Sequence, residues 1–284
     1  MVKNYFKSIR LLNLALLGFI FWGLMLNSYN GGLDFKIDHF LLFLSIITTT
    51  ASGYLINNYY DIKSDELNKK FIQGLNSKYF ISSYFIHFLI SYFFIFISNL
   101  SGGWLIVITI VHISLYLYSL KLQHFPLIGN AIVCSLCALV ILIPHSFSYE
   151  IYNFKNFNII NNLFVVYAIF CFLITLKREI VKDMEDIEGD QKIGSHTLPV
   201  VIGLRTTKFF TAIVILIEII FLILCFTQTP STLNCTLFFS TQLVVILLFC
   251  YQLYFSENQQ NFRRISNLLK IQFLLAGIWL YIPL

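Results

Sequence analysis

Charge is what this chain has least of: Asp, Glu, Lys and Arg together make up 12% of 284 residues, where a soluble domain carries about a quarter. That scarcity, with 58% hydrophobic residues and a mean hydropathy of +0.78, excludes an ordinary soluble domain and predicts an integral membrane protein. No continuous basic stripe exists either. The net charge of +5 is spread over short segments between apolar runs, which argues against a nucleic-acid partner. The N-terminus begins like a signal peptide, with Lys3, Lys7 and Arg10 before an apolar run, but the run continues through Leu26 without a small-residue cleavage site. It is read as a span. The six cysteines lie mostly in apolar runs, and the Cys134/Cys137 pair has no second ligand pair to complete a zinc or redox site, so all six read as small buried hydrophobes.

What remains are apolar runs long enough to cross a bilayer. They fall near 11–29, 38–60, 79–98, 103–120, 127–147, 160–181, 208–227, 233–255 and 267–284. The pattern predicts an all-α polytopic membrane protein of nine transmembrane helices in one domain, residues 1–284. The third and fourth spans would form a tight hairpin around the NLSGG link. Basic residues concentrate on cytoplasmic loops, and an N-terminus inside places all but Lys36 and Lys155 of the 19 there, Lys177 and Arg178 among them. The host membrane would be the bacterial inner (plasma) membrane.

Acid is rarer still, and it is clustered. After the sixth run, REIVKDMEDIEGDQKIGSHTLP (Arg178–Pro199) places Asp183, Asp186 and Asp190 at i, i+3 and i+7, one face of a helix. After the second run, NNYYDIKSD sets Asn57, Asp61 and Asp65 at i, i+4 and i+8. Both stripes fall on the predicted cytoplasmic side. Each precedes a loop longer than the outer loops, suited to a lid. Two stripes of oxygen ligands face to face would hold a hard cation, magnesium in particular, together with the phosphates of a substrate. Glu66, Glu185 and Glu188 read as surface charges. Glu218, mid-span in TAIVILIEIIFLIL, reads as a polar partner for a neighbouring helix rather than a catalytic acid.

The N-x-x-x-D-x-x-x-D after a second span, the D-x-x-x-D after a sixth, and the following G-x-x-T-L-P resemble the UbiA superfamily of intramembrane prenyltransferases. KDMEDIEGDQKIGSHTLPVVIG is most similar to the branch of geranylgeranylglycerol-phosphate geranylgeranyltransferase and the homogentisate and chlorophyll enzymes. YSLKLQHFPLIGN (Tyr118–Asn130) resembles the family segment that approaches a diphosphate. The resemblance implies a ring of nine helices around a central cavity, with Mg2+ at its cytoplasmic mouth. Asn57, Asp61, Asp65, Asp183, Asp186 and Asp190 would be its ligands. Tyr118, Lys121, Arg178 and Lys182 would act on the diphosphate, and Asn57, Asn58, Lys69, Lys70 and Asn130 would line the substrate. Two positions depart from the family pattern: Asn58 stands where many relatives have Asp, and Asn68-Lys69-Lys70-Phe71-Ile72-Gln73 replaces N-K-P-x-R-P. Lys69, Lys70 or Lys78 would then serve as point charges without an arginine's bidentate fork.

The implied reaction moves a prenyl group, geranylgeranyl or similar, from an isoprenoid diphosphate to a glycerol-phosphate lipid precursor or an aromatic quinone precursor. The alternatives are a cation-coupled transporter using the acids as an ion site, against which their interfacial position speaks, and a non-catalytic prenyl-lipid scaffold, which would not need both stripes.

Overall fold

The computed structural model describes residues 2–28, 36–68, 75–147, 162–229 and 232–282, and every regular element among them is helical. In chain order these are α1 (Val2–Ser8), α2 (Leu11–Ser28), α3 (Ile37–Tyr60), α4 (Ile62–Leu67), α5 (Ser77–Ile97), α6 (Gly103–Leu120), α7 (Ile128–Leu142), α8 (Leu163–Ile193), α9 (Leu198–Ile202), α10 (Leu204–Gln228), α11 (Leu233–Phe255) and α12 (Gln259–Ile278). Helices suit this sequence because a bilayer interior offers no water to backbone N–H and C=O groups, so they must pair within the segment.

Six stretches among the described residues are long and apolar enough to span a membrane: Ile37–Tyr60, Ser77–Ile97, Gly103–Leu120, Ile128–Ser146, Leu204–Gln228 and Leu233–Phe255. Leu11–Asn27 is apolar but shorter. Two of the expected spans differ in kind from the others. The apolar start of α8 continues without a break into its acidic half, and α12 begins with the polar run QQNFRRISN. The segment after the sixth span, whose aspartates are spaced for one face of a helix, is helix through Ile193.

The chain forms two compact units. One comprises Met1–Gly18, Leu33–Gly129 and Glu188–Ser195; the other comprises Phe19–Gly32, Asn130–Ile187 and His196–Leu284. In the first unit α3 packs against both α5 and α6, around Ala51, Leu55, Ile56, Phe80 and Tyr84. Beside this apolar contact lies a polar one: His112 of α6 meets the Ser91 hydroxyl of α5 at 2.9 Å, with Thr49 and Ser52 of α3 at 3.4 Å. Small polar side chains of this kind join helices where apolar contact alone gives no preference over lipid. The expected hairpin is present as α5 and α6, and Asp38 caps its link by accepting from the Asn99 N–H at 2.9 Å.

In the second unit α10, α11 and α12 pack in sequence. A cluster of Ile20, Leu24, Ile141, Phe164, Tyr167 and Ala276 joins α2, α7, α8 and α12, and the Tyr167 hydroxyl donates to the Ala276 carbonyl at 3.1 Å. Leu216, Ile217, Ile220, Ile223 and Leu224 of α10 and Val244, Leu247 and Leu248 of α11 are exposed. Apolar faces this continuous belong to lipid rather than to water.

At the centre of this unit Lys177, Glu218 and Gln272, on α8, α10 and α12, are each fully buried. Lys177 and Glu218 form an ion pair, Gln272 Nε2 donates to Glu218 Oε1 at 3.0 Å, and Lys177 Nζ donates to Gln272 Oε1 at 3.2 Å. Lys177, counted as a cytoplasmic loop charge from the sequence, is thus an interior residue. Glu218 is the interhelical partner that its mid-span position suggested.

Candidate active site

The first acidic motif begins inside a helix and ends outside it. Asn57 lies in the last turn of α3, Asp61 is the joint between α3 and α4, and Asp65 lies in α4. The i to i−4 hydrogen bonds run through the joint, Asp61 N–H to the Asn57 carbonyl at 2.9 Å and Asp65 N–H to the Asp61 carbonyl at 2.7 Å. The three residues therefore stay on one line, as the spacing predicted. Asn57 is buried, and Asp61 and Asp65 are half-buried.

The second motif lies wholly within α8, where Asp183, Asp186 and Asp190 share an arc of about 60° at 100° per residue. The helix ends with a left-handed Gly194 (φ 75°), and the Ser195 N–H closes back onto the Asp190 carbonyl at 2.9 Å. This six-to-one bond is the Schellman arrangement that satisfies terminal carbonyls. Asp190 is buried.

The first unit brings the two motifs together at their ends. Its Glu188–Ser195 segment carries Asp190, and the main chain at Gly189 approaches the buried Asn68 side chain so closely that a Cβ there would collide with the Asn68 amide. Gln123, in the 3-10 turn Leu122–His124, ties the first motif: its Nε2 donates to Asp61 Oδ1 at 2.7 Å and its Oε1 accepts from Asn57 Nδ2 at 2.8 Å. The neighbouring His124 Nδ1 shares a 2.6 Å hydrogen bond with the Ser195 hydroxyl. Burial holds the His124 imidazole below the usual histidine range, so it is neutral at pH 7.

Other expected site residues fall as follows. Asn130, at the start of α7, donates through Nδ2 to Asp183 Oδ2 at 2.9 Å. Arg178 and Lys182 flank Glu179, at 2.7 and 3.0 Å, a buried carboxylate that the sequence reading passed over although cations stand one residue before it and three after. Asn58 donates to the Ser8 carbonyl at 2.8 Å, so its amide anchors α1 to α3. Lys121 is exposed, with Nζ 5.9 Å from the Phe125 ring centre, and Tyr118 is half-buried in the last turn of α6. Lys69 and Lys70 lie outside the described residues. Glu185, read as a surface charge, is buried and accepts from Arg263 Nε of α12 at 3.0 Å, whereas Glu188 is exposed as expected. Gln123 and Glu179 are the contributions that sequence reasoning missed.

The two motifs themselves offer carboxylate and amide oxygens, donors that suit a hard cation. Among the described residues no three His, Cys, Asp or Glu side chains converge closely enough to ligate an ion unaided. Magnesium fits such an arrangement, because it keeps several waters and takes only one or two carboxylates alongside substrate phosphates.

The sequence profile of the UbiA prenyltransferase family matches residues 16–274. The chain belongs to that family. The transporter reading is accordingly without support, and this UbiA chain is a membrane prenyltransferase. It is 30% identical over 246 residues to a digeranylgeranylglyceryl phosphate synthase of Methanosphaera stadtmanae, an alignment covering 83% of this chain and 84% of the relative. Its fold is similar to that of a solved digeranylgeranylglyceryl phosphate synthase in membranes, with a TM-score of 0.68, 23% identity, and 98% and 96% of the two chains covered. It is also similar to a UbiA homologue from Archaeoglobus fulgidus bound to GPP and Mg2+, with a TM-score of 0.62, 14% identity, and coverage of 98% and 100%.

Proposed function

We propose that this UbiA chain is a magnesium-dependent enzyme that transfers a geranylgeranyl-like group from its diphosphate to a hydroxyl of a glycerol-phosphate lipid. Of the two acceptor classes that the motifs left open, the glycerol phosphate is favoured by the relatives named as digeranylgeranylglyceryl phosphate synthases. The observation that carries the reading is the tie between the motifs within the first unit, where Asn68 packs on Gly189 and the Leu122–His124 turn reaches Asn57, Asp61 and Ser195.

In this proposal Asn57, Asp61 and Asp65 hold the cation from the first motif and Asp186 and Asp190 from the second, with Asp183 oriented beside them by Asn130. Mg2+ bound there would act as a Lewis acid and template for the diphosphate. The donor's allylic carbon–oxygen bond breaks with its electron pair passing to the diphosphate. The acceptor hydroxyl oxygen forms the new carbon–oxygen bond, and its proton passes to the departing diphosphate and so to water. Arg178 and Lys182 stand ready to exchange Glu179 for phosphate oxygens, and Lys121, Lys69 and Lys70 add positive charge, with Tyr118 and Asn58 framing the approach. The apolar helices keep water from the allylic cation.

We further place the site at the cytoplasmic face of nine spans enclosing one cavity, the whole chain acting as a single domain. Support comes from the bias of basic residues and from a family match that runs nearly end to end. Purified enzyme given radiolabelled geranylgeranyl diphosphate, magnesium and geranylgeranylglyceryl phosphate or homogentisate tests the proposal. Magnesium-dependent labelling of the glycerol phosphate, abolished in Asp61→Ala and in Asp186→Ala, is the expected outcome. Labelling that survives either substitution would sink the assignment of the metal ligands, and labelling of homogentisate alone would sink that of the acceptor.

A further inference from the structure

The Leu122–His124 turn lies outside both acidic motifs yet touches the first of them and, through Ser195, the end of the helix that carries the second. Polarity fixes how it does so. A carboxylate only accepts hydrogen bonds, so Gln123 must present its amide nitrogen to Asp61, where Nε2 lies 2.7 Å from Oδ1. Its amide oxygen then needs a donor and finds Asn57 Nδ2 at 2.8 Å. Asn57 in turn has its nitrogen committed to Gln123, which leaves its carbonyl oxygen as the group to face a cation. One residue thereby sets the rotamer of Asp61 and the orientation of the Asn57 amide.

The turn is itself held in place. Gln123 Nε2 also donates to the Ser119 carbonyl at 3.1 Å. Gly129 comes so near that a Cβ there would lie 2.8 Å from the Gln123 Cα and 2.9 Å from the Leu122 carbonyl oxygen, a packing only glycine allows. The next residue, His124, bonds the Ser195 hydroxyl at 2.6 Å, and the Ser195 N–H closes the helix end at the Asp190 carbonyl. Consecutive side chains of one turn thus reach Asp61 in one direction and the Asp190 end of α8 in the other.

We infer that the Gln123–His124 turn is a positioning device for the cation site, which sets Asn57 and Asp61 in register with Asp190. The inference rests on the metal assignment in the proposed function and names residues outside it. Outer partners that orient metal-ligating side chains typically change metal affinity or activity by about 10- to 100-fold when removed. Gln123→Met keeps the volume and removes all three side-chain hydrogen bonds. Ser195→Ala removes only the hydroxyl that His124 holds.

The test uses the full chain in detergent with saturating inorganic pyrophosphate, with Mn2+ as the probe followed by electron paramagnetic resonance, and melting temperatures in metal-free buffer. Wild type should bind Mn2+, and Asp61→Ala should not. Gln123→Met should bind about 10- to 100-fold more weakly with a melting temperature near that of wild type, and Ser195→Ala should shift in the same direction. Wild-type affinity in Gln123→Met would overturn the inference while leaving the metal site standing. Wild type that binds no better than Asp61→Ala would overturn the metal assignment and the inference with it. Should Gln123→Met not fold, Ser195→Ala decides: unchanged Mn2+ affinity there refutes the register between turn and helix end.

Discussion

Removing the Glu218 carboxylate should destabilise this protein more than deleting the whole buried network to which it belongs. Glu218→Leu leaves Lys177 and Gln272 buried with their shared acceptor gone. Breaking a buried pair at one partner typically costs about 3–5 kcal/mol. An independent ceiling comes from the alternative open to Lys177, which is to give up its proton: at pH 7 that costs about 1.36 kcal/mol for each of roughly 3.4 pH units between neutrality and an ordinary lysine pKa, or about 4.6 kcal/mol. The two figures agree, so the expected loss is about 3–5 kcal/mol. In the triple variant Lys177→Met/Glu218→Leu/Gln272→Leu no polar group is stranded, and replacing a buried ionic cluster by well-packed apolar residues is often neutral or favourable. The triple variant should therefore recover most of what the single one loses. Equilibrium unfolding in mixed micelles with increasing denaturing detergent measures both. If the triple variant is no more stable than Glu218→Leu, the network is not the source of the loss and the reasoning fails.

Two other outcomes follow from the candidate site. Gly189→Ala should abolish prenyl transfer with little change in melting temperature, because its Cβ displaces Asn68 locally between the two motifs; full activity in that variant would show that the contact can give way at no cost. Burial lowers the pKa of His124, so its neutral form is favoured by folding: the associated stability is complete above the unfolded histidine value of about 6.5 and is lost as pH falls through the lower folded value. The difference in melting temperature between wild type and His124→Asn should shrink from pH 7.5 to pH 5, and a constant difference would contradict this.

The membrane-spanning helices were legible because hydropathy over some twenty residues has few competing explanations. Both acidic stripes were legible because helical spacing survives the break at Asp61. The charges at the ends of the spans were harder. Lys177 and Arg178 are adjacent, and a rule that assigns basic residues to cytoplasmic loops treats them alike, yet one turns inward to Glu218 and the other faces Glu179. Only a knowledge of which side of α8 meets α10 separates them. Gln123 left no signal at all, since an uncharged residue in a short loop gains its importance from contacts with Asn57 and Asp61, more than sixty positions earlier in the chain. The run of α8 through Asp190 follows from the same spacing, and the Asp190 carbonyl is closed by the Ser195 N–H just beyond the helix.

The angular order of carboxylates around α8 explains why such similar residues have different parts to play. At 100° per residue, Glu179, Asp183, Asp186 and Asp190 fall on one face, while Glu185 and Glu188 fall roughly opposite. On the opposite face Glu185 is neutralised by Arg263 of α12 and Glu188 is exposed, so neither is poised for a cation. On the shared face Glu179 is already compensated by Arg178 and Lys182, which confines the three aspartates to the helix's last three turns. In the proposed reading Asp186 and Asp190 are the metal ligands of this face, and Asp183 is oriented by the uncharged amide of Asn130, which fixes a carboxylate without neutralising it.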